Sequence, residues 1–183
     1  MAVFSEVTNF IRTFAAMNIL ITGATGFIGG FIVDEALRRG MEVWVALRRS
    51  SSRQWLIDGR IRFLEVNLSD KGDLLEKMRG LRFDYVVHAA GVTKCLHRED
   101  FFRVNVGGTQ NLVQALAELG MPVRKFVYVS SLSVFGPVRE QQPYEEIRET
   151  DEPRPDTAYG QSKLAAEGCL DPMPWVVLRP TGV

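Results

Sequence analysis

The stretch Asn18-Ile-Leu-Ile-Thr-Gly-Ala-Thr-Gly-Phe-Ile-Gly-Gly30 restricts the fold of this chain more than any other part of it. A short apolar run, Ile19 to Ile21, predicts a buried strand, and beyond Gly23, Gly26 and Gly29 apolar residues recur at helical spacing. The pattern is strand, tight turn, helix. Each glycine has a physical purpose in such a unit: one permits the turn, one lets backbone approach a pyrophosphate, and one packs helix against strand. Thr25 stands in the turn, and the helix start at Phe27 and Ile28 offers unpaired N–H groups to phosphate oxygens. Turns need glycine for many reasons, so the rest of the chain decides.

Ile28, Ile32 and Ala36 follow at i, i+4 intervals, Gly40 ends the helix, and Val43 to Leu47 predicts a second strand. This is a βαβ unit of the size a dinucleotide requires. At the end of that strand, where a carboxylate would grip the ribose 2′-hydroxyl of NAD, the chain carries Leu47-Arg48-Arg49-Ser50-Ser51-Ser52-Arg53. Arginine binds phosphate bidentately and a carboxylate would repel it, so Arg48 points to the 2′-phosphate of NADP in preference to NAD. A solvated basic loop is the plainer alternative.

A third strand, Ile61 to Val66, leads to Asn67 and Leu68, placed to meet an adenine edge and face. A helix around Leu74, Leu75 and Met78 follows. Asp84 to Gly91 then reads as a fourth buried strand ending in Ala89, Ala90 and Gly91, small residues that leave room for a cofactor. His88 on that strand is expected to be a hydrogen-bonded core histidine, and His97 has no matching partners. From Glu99 to Leu119 the apolar spacing is helical, with Gly107 and Gly108 inside it; close packing against a neighbour would offset their cost of about 1 kcal/mol each. Asn105 on this helix either bonds the helix face or reaches the active-site backbone or substrate.

Lys125 to Ser130 predicts a fifth strand running into Ser130-Ser-Leu-Ser-Val-Phe-Gly136, with hydroxyls at the carboxyl end where open α/β sheets place their chemistry. Pro137 to Asp156 reads as a long acidic surface loop, Thr157 to Glu167 as a helix, and Trp175 to Leu178 as a sixth strand. Six strands alternating with helices predict a Rossmann-type, doubly wound parallel α/β sheet with helices on both faces.

Composition removes several classes of function. Twenty-two basic and 22 acidic residues cancel, and 46% of the chain is hydrophobic, which fits a globular domain and neither a nucleic-acid binder nor an acidic scaffold. No apolar run approaches the roughly 20 residues of a membrane span. Cys95 and Cys169 fit no metal spacing and are expected to be buried free thiols in a reducing compartment, the cytoplasm. Residues 1–16 do not resemble a secretory signal and read as an N-terminal extension to a domain spanning 17–183, with translation starting near Met17. The alternative for them is an amphipathic helix whose Phe4, Val7, Phe10, Ile11 and Phe14 cover an apolar patch on this chain or a partner.

Tyr159 and Lys163 lie four apart, hence on one face of the predicted helix, with Cβ atoms about 5–6 Å apart. Proton exchange at neutral pH by a phenol that ordinarily titrates near 10 requires roughly 4 kcal/mol of preference for the phenolate, part of which an ammonium supplies. A strand-end hydroxyl such as that of Ser131 would hold a substrate oxygen beside the phenol.

Taken together, Thr22-Gly-Ala-Thr-Gly-Phe-Ile-Gly29, His88-Ala-Ala-Gly91, Ser130-Ser131 with Phe135-Gly136, Tyr159-xxx-Lys163 and Leu178-Arg-Pro180 resemble the extended short-chain dehydrogenase/reductase family across nearly all of 17–183. The resemblance implies Tyr159 as general acid/base, Lys163 binding the nicotinamide ribose and favouring the phenolate, and Ser131, five residues before Gly136, positioning the reacting oxygen. It also implies backbone cofactor contacts at Phe27, Ile28, Ala89, Ala90 and Pro180, a small-molecule substrate, and a homodimer through the helices bearing Asn105 and Tyr159. Two departures matter. Asn67 replaces the usual aspartate, keeping an acceptor oxygen without the charge. Leu132 and Ser133 stand where the family's sugar dehydratases carry an aspartate and a glutamate, which argues against dehydration. Family members continue for a hundred or more residues that build the substrate pocket, so the chain resembles the cofactor half. The expected activity is NADP-linked hydride transfer between nicotinamide and a carbonyl or alcohol; the alternatives are a nucleotide-sugar epimerase and a non-catalytic nucleotide-binding module.

Overall fold

The computed structural model describes residues 17–137, 146–171 and 173–181. The readings of residues 1–16, and of the middle of the acidic loop, lie outside them. Strand β1 is Asn18–Thr22, helix α1 Phe27–Arg38, β2 Glu42–Leu47, β3 Arg62–Glu65, α2 Lys71–Met78 and β4 Tyr85–His88. Helix α3, Arg98–Phe101, passes through a π-helical turn, Phe102–Gly107, into α4, Gly108–Glu118. Strand β5 is Lys125–Val129, followed by a 3-10 turn at Leu132–Phe135, helix α5 at Ala158–Glu167 and β6 at Trp175–Leu178.

The six strands form one sheet in the order β3-β2-β1-β4-β5-β6, and every adjacent pair is parallel. The chain steps outward from β1 to β3 and then returns to the other side of β1, so the order reverses between β1 and β4. At such a reversal the loops diverge and open a crevice at the strands' carboxyl ends.

Alternation along each strand divides the core in two. On one face, Ile19, Ile21, Val43, Val45, Val87 and Val129 pack under Val33, Ala36 and Leu37 of α1. On the other, Leu20, Ala46, Val86, Phe126 and Tyr128 meet Leu74 and Met78 of α2, Leu112 and Leu116 of α4 and Ala166 of α5. The expected helices on both faces are present, and runs such as Ile19 to Ile21 are apolar throughout because both faces are covered.

Local chemistry sets the helix ends. The side chain of Asp70 accepts from the N–H of Asp73 at the start of α2, and that of Thr157 accepts from the N–H of Gly160 at the start of α5. Three expectations need correcting. The helix across Gly107 and Gly108 is not uniform, since a π turn holds Gly107. A Cβ at Gly107 would meet open space and one at Gly108 would make only ordinary contact with Leu68, so close packing does not explain both glycines. Cys95 and Cys169 are free but half-buried, because both stand in connecting segments at the edge of the core.

Candidate active site

Gly23 has φ +73°, and a Cβ there would lie 2.5 Å from the backbone of Ala89 and Ala90; one at Gly29 would lie 2.2 Å from the Gly23 carbonyl oxygen. The first glycine thus makes the turn and lets β1 approach β4, and the second seats α1 on the turn. Gly26 is exposed and caps α1 with no side-chain hydrogen bond, so no capping side chain occupies the N–H groups at the helix start. That open, donor-rich edge fits a pyrophosphate.

His88 is 1% exposed and occupies the floor between β1 and α4. The Thr109 hydroxyl donates to the Asn105 carbonyl at 2.6 Å, so its oxygen receives the His88 Nε2–H at 3.0 Å. Nδ1 is left as the acceptor for the Thr22 hydroxyl at 2.6 Å, and the Thr22 oxygen receives the Ala90 N–H at 3.2 Å. Every donor in the run is matched by an acceptor only if the imidazole is neutral. Burial, assisted by the charge of Lys163, accordingly lowers its pKa to about 3. His88 is a structural histidine that ties Ala90 to β1.

The π turn brings Asn105 inward, where it is 1% exposed. Its Oδ1 accepts the Val92 N–H at 2.8 Å, and its Nδ2 donates to the Val92 carbonyl at 3.1 Å and to Ser162 Oγ at 2.9 Å. Ser162 in turn donates to the Tyr159 carbonyl at 2.7 Å. Of the two readings for Asn105, the structure selects the active-site backbone: it locks the segment after β4 to α5 between Tyr159 and Lys163.

Helix α5 presses on the 3-10 turn at a residue the sequence reading passed over. A Cβ at Gly160 would lie 2.4 Å from the Ser133 carbonyl oxygen, so only glycine lets the Tyr159 segment come this close to Ser131–Ser133. The signal was present in the sequence, as a glycine in the first turn of a helix, directly after Tyr159. The three serines separate here. The Ser130 hydroxyl donates to Glu167, whose carboxylate also holds Arg179 through Nη2 at 2.6 Å and Nε at 3.1 Å. Ser131 accepts the Ser133 N–H at 3.2 Å and donates to Ser133 Oγ at 3.1 Å. All three line one cleft, but the Ser130 hydroxyl is committed to Glu167, whereas those of Ser131 and Ser133 bond each other.

That cleft, about 530 Å³, is walled by Ser131, Ser133, Tyr159, Lys163, Gly91 and Pro180, with Ile28 and Ala89 at its glycine-turn side. Lys163 is 4% exposed. Its ammonium donates to the Val129 carbonyl at 2.7 Å and lies 4.2 Å from the centre of the Tyr128 ring. Burial lowers its pKa to about 8 despite the opposing charge of Glu167. An ammonium has three N–H donors, and among the described residues one finds a hydrogen-bond partner; a Cβ at Gly91 would come within 3.8 Å of it. Space and spare donors coincide at that atom, which fits a ribose diol. Tyr159 is half-buried, with Phe101 6.2 Å away between ring centres.

The remaining candidate residues follow the carboxyl edge of the sheet. Thr25 and Phe27 are exposed at the glycine turn, although the Phe27 side chain walls a different surface depression. Arg48 is exposed at the end of β2 and makes no ion pair among the described residues, whereas Arg53 is held by Glu65 and lies over Phe63. Asn67 is exposed beyond β3, its Oδ1 receiving the Ser69 N–H at 3.1 Å, and Leu68 is half-buried beside it. Thr93 and Thr181, which the sequence did not single out, add hydroxyls to the cleft.

A parallel sheet with a glycine turn at β1 and a cleft at its order reversal defines a Rossmann-type dinucleotide-binding protein. The model of the NAD dependent epimerase/dehydratase family matches residues 19–174, and the chain belongs to that family, within the extended short-chain dehydrogenases/reductases. UDP-glucose 4-epimerase 2 of Oryza sativa subsp. japonica is 31% identical over 186 residues, covering 93% of this chain and 43% of its own length. dTDP-6-deoxy-L-talose 4-dehydrogenase (NAD(P)(+)) of Kitasatospora kifunensis is 31% identical over 154 residues, covering 83% of this chain and 46% of its own. Among solved structures, the UDP-glucose 4-epimerase of Thermus thermophilus in complex with NAD superposes with a TM-score of 0.77 at 34% identity, over 89% of this chain and 54% of that one. The chain thus spans about half the length of the relatives it matches.

Proposed function

We propose that the protein is an NADP-linked oxidoreductase of the extended short-chain type, with residues 17–183 as its cofactor half. The observation that carries this reading is the convergence of Ser131, Tyr159 and Lys163 on one cleft beside the glycine turn. The nicotinamide, when bound, gives or takes a hydride at C4. In the oxidising direction Tyr159, as phenolate, takes the proton of the substrate hydroxyl while the carbinol carbon gives up its hydride; reduction reverses both transfers. Ser131 holds the same oxygen: its O–H, which donates to Ser133 Oγ at 3.1 Å, turns to the substrate oxygen while its own oxygen keeps the Ser133 N–H. Lys163 holds the nicotinamide ribose with its spare N–H donors and places a positive charge near the phenolate. Phe27, Ile28, Ala89, Ala90 and Pro180 contribute backbone around the dinucleotide, Asn67 and Leu68 meet the adenine, and Arg48 supports the 2′-phosphate. We include in this reading a cytoplasmic location, where NADP and unpaired cysteines such as Cys95 and Cys169 are at home, and a homodimer through α4 and α5.

A second reading is a nucleotide-sugar epimerase, in which the hydride returns to the opposite face; it is favoured by the UDP-glucose 4-epimerases among the relatives. Both use the same three side chains. In a protein extended to the length of its relatives, Tyr159→Phe should lower turnover by roughly 100-fold or more with cofactor affinity within about threefold of the parent. Equal turnover in the variant would remove the proposed chemistry. Stoichiometric oxidation of added NADPH marks the reductase, and cofactor retained through purification without net turnover marks the epimerase.

A further inference from the structure

Glu167 ends the helix that carries Tyr159 and Lys163, one turn beyond the lysine. Its side chain is 10% exposed, and a carboxylate that far from water keeps its charge by being paired and hydrogen-bonded. Three bonds meet it. Oε1 accepts the Ser130 hydroxyl and Arg179 Nε at 3.1 Å, and Oε2 accepts Arg179 Nη2 at 2.6 Å. The guanidinium also lies 4.9 Å from the centre of the Phe135 ring, at the end of the 3-10 turn. Ser130 and Arg179 are each followed in the chain by a residue that walls the cleft, Ser131 and Pro180. The backbone on either side of Ser131 closes the same circuit: the Ser130 N–H donates to the Leu178 carbonyl at 2.7 Å, and the Leu132 N–H to the Pro180 carbonyl at 2.9 Å.

An ion pair this buried adds little net stability, because desolvation offsets its attraction. What it adds is direction, since a guanidinium held through two nitrogens fixes the plane of its partner. Near the start of α5 Gly160 presses on the Ser133 carbonyl, and at its end Glu167 grips β5 and the end of β6. The two fastenings stand about 10 Å apart along the helix, with Lys163 between them. We propose that Glu167 is a positioning residue: its carboxylate clamps Ser130 and Arg179 to α5, which fixes Ser131 and Pro180 against Tyr159 and Lys163, and it supplies the negative charge opposite the Lys163 ammonium. This role rests on the function proposed above for the cleft. The titratable groups around the ammonium are His88 of β4, Tyr128 of β5, and Tyr159 and Glu167 of its own helix. Burial lowers the lysine to about 8, and the charge of Glu167 opposes that fall.

Hydrogen exchange of single amides tests the clamp on the ligand-free full chain. In Glu167→Gln the amides of Ser130 and Leu132, which bond Leu178 and Pro180, should exchange about tenfold or more faster than in the parent, while that of Ile21 in the middle of the sheet stays within about twofold. Ser130→Ala removes one arm of the clamp and no charge, and it should speed the Leu132 amide severalfold even if Glu167→Gln does not fold. Unchanged amides, or an equal acceleration at Ile21, would overturn the proposal. Binding of NADPH gives a readout that looser packing alone would not move. Titrated from about pH 6.5 to 9.5, its dissociation constant should rise from near pH 8 in the parent and from a lower pH in Glu167→Gln, because the ammonium has lost its opposing charge. A rise from the same pH in both proteins overturns the proposal. A parent with no such rise strikes instead the assignment of Lys163 to the ribose, and the amides, read without cofactor, still decide the clamp.

Discussion

Replacing Lys163 by Met should make the ligand-free protein more stable while weakening its hold on cofactor. The lysine sits in the core with its pKa lowered from 10.5 to about 8, burial being the main cause and Glu167 the opposing one. That interval corresponds to roughly 3 kcal/mol of penalty on the ammonium relative to the unfolded chain. Methionine of similar length avoids the penalty and loses the hydrogen bond to the Val129 carbonyl, worth about 1 kcal/mol, so the variant gains about 2 kcal/mol at pH 7. The melting temperature should rise by roughly 5 °C. The pH dependence carries the sign. Between pH 8 and 10.5 the unfolded lysine still holds its proton while the folded one releases it, so parental stability climbs with pH relative to the variant. Urea unfolding at about pH 7, 8, 9 and 10.5 should show the variant ahead below pH 8, the gap closing through the window, and the parent level with it or ahead at the top. A variant less stable at pH 7, or a difference constant from pH 8 to 10.5, would refute the account of a desolvated ammonium. Binding of NADPH, followed by its fluorescence, should weaken about tenfold or more in the same variant, since the spare N–H donors are gone.

Gly160→Ala would gain about 1 kcal/mol in helix propensity, yet its Cβ would meet the Ser133 carbonyl at 2.4 Å. We expect net destabilisation of about 2 kcal/mol in urea unfolding and turnover lower by roughly 100-fold from displacement of Tyr159 against Ser131; parental turnover would refute the close approach. Arg48→Glu should reverse the NADPH-over-NADH ratio of dissociation constants by roughly 10-fold or more, read by fluorescence titration, and an unchanged ratio would show Arg48 to be a solvated loop residue. Neutral His88, with its pKa lowered to about 3, sets an acid limit: the unfolded imidazole binds a proton from about pH 6.5 down. Stability relative to His88→Gln should be complete above about pH 6.5 and fall by roughly 3 kcal/mol on going to pH 4, and a flat difference would contradict the buried neutral ring.

The order of strands and helices was legible because local periodicity encodes it. Ile19 to Ile21 and Phe126 to Val129 are apolar on both faces, Gly40 stops a helix, and Thr157 caps one, all within a few residues of sequence. The glycine turn, the basic residues after β2 and the small residues after β4 were legible for the same reason, since the demands on backbone space and charge are local. Distances across the sheet were decided elsewhere. The hydroxyls of Ser130, Ser131 and Ser133 are equivalent in the sequence; only Glu167 and Arg179, arriving from α5 and the end of β6, commit that of Ser130 to the framework. Asn105 could have bonded its own helix, and the π turn that brings it to Val92 and Ser162 has no signature in apolar spacing. Gly107 and Gly108 suggested close packing where an irregular turn was formed, and the cysteines looked buried because apolar neighbours in sequence need not be neighbours in space. His88 was readable as a core residue, but its neutral state depends on Thr22 and Thr109, which lie on different elements. Sequence thus set what each segment must be, because hydrogen bonding and side-chain periodicity act over a few residues. The tertiary structure set which polar atoms are free to do chemistry, because that depends on partners brought together from distant segments.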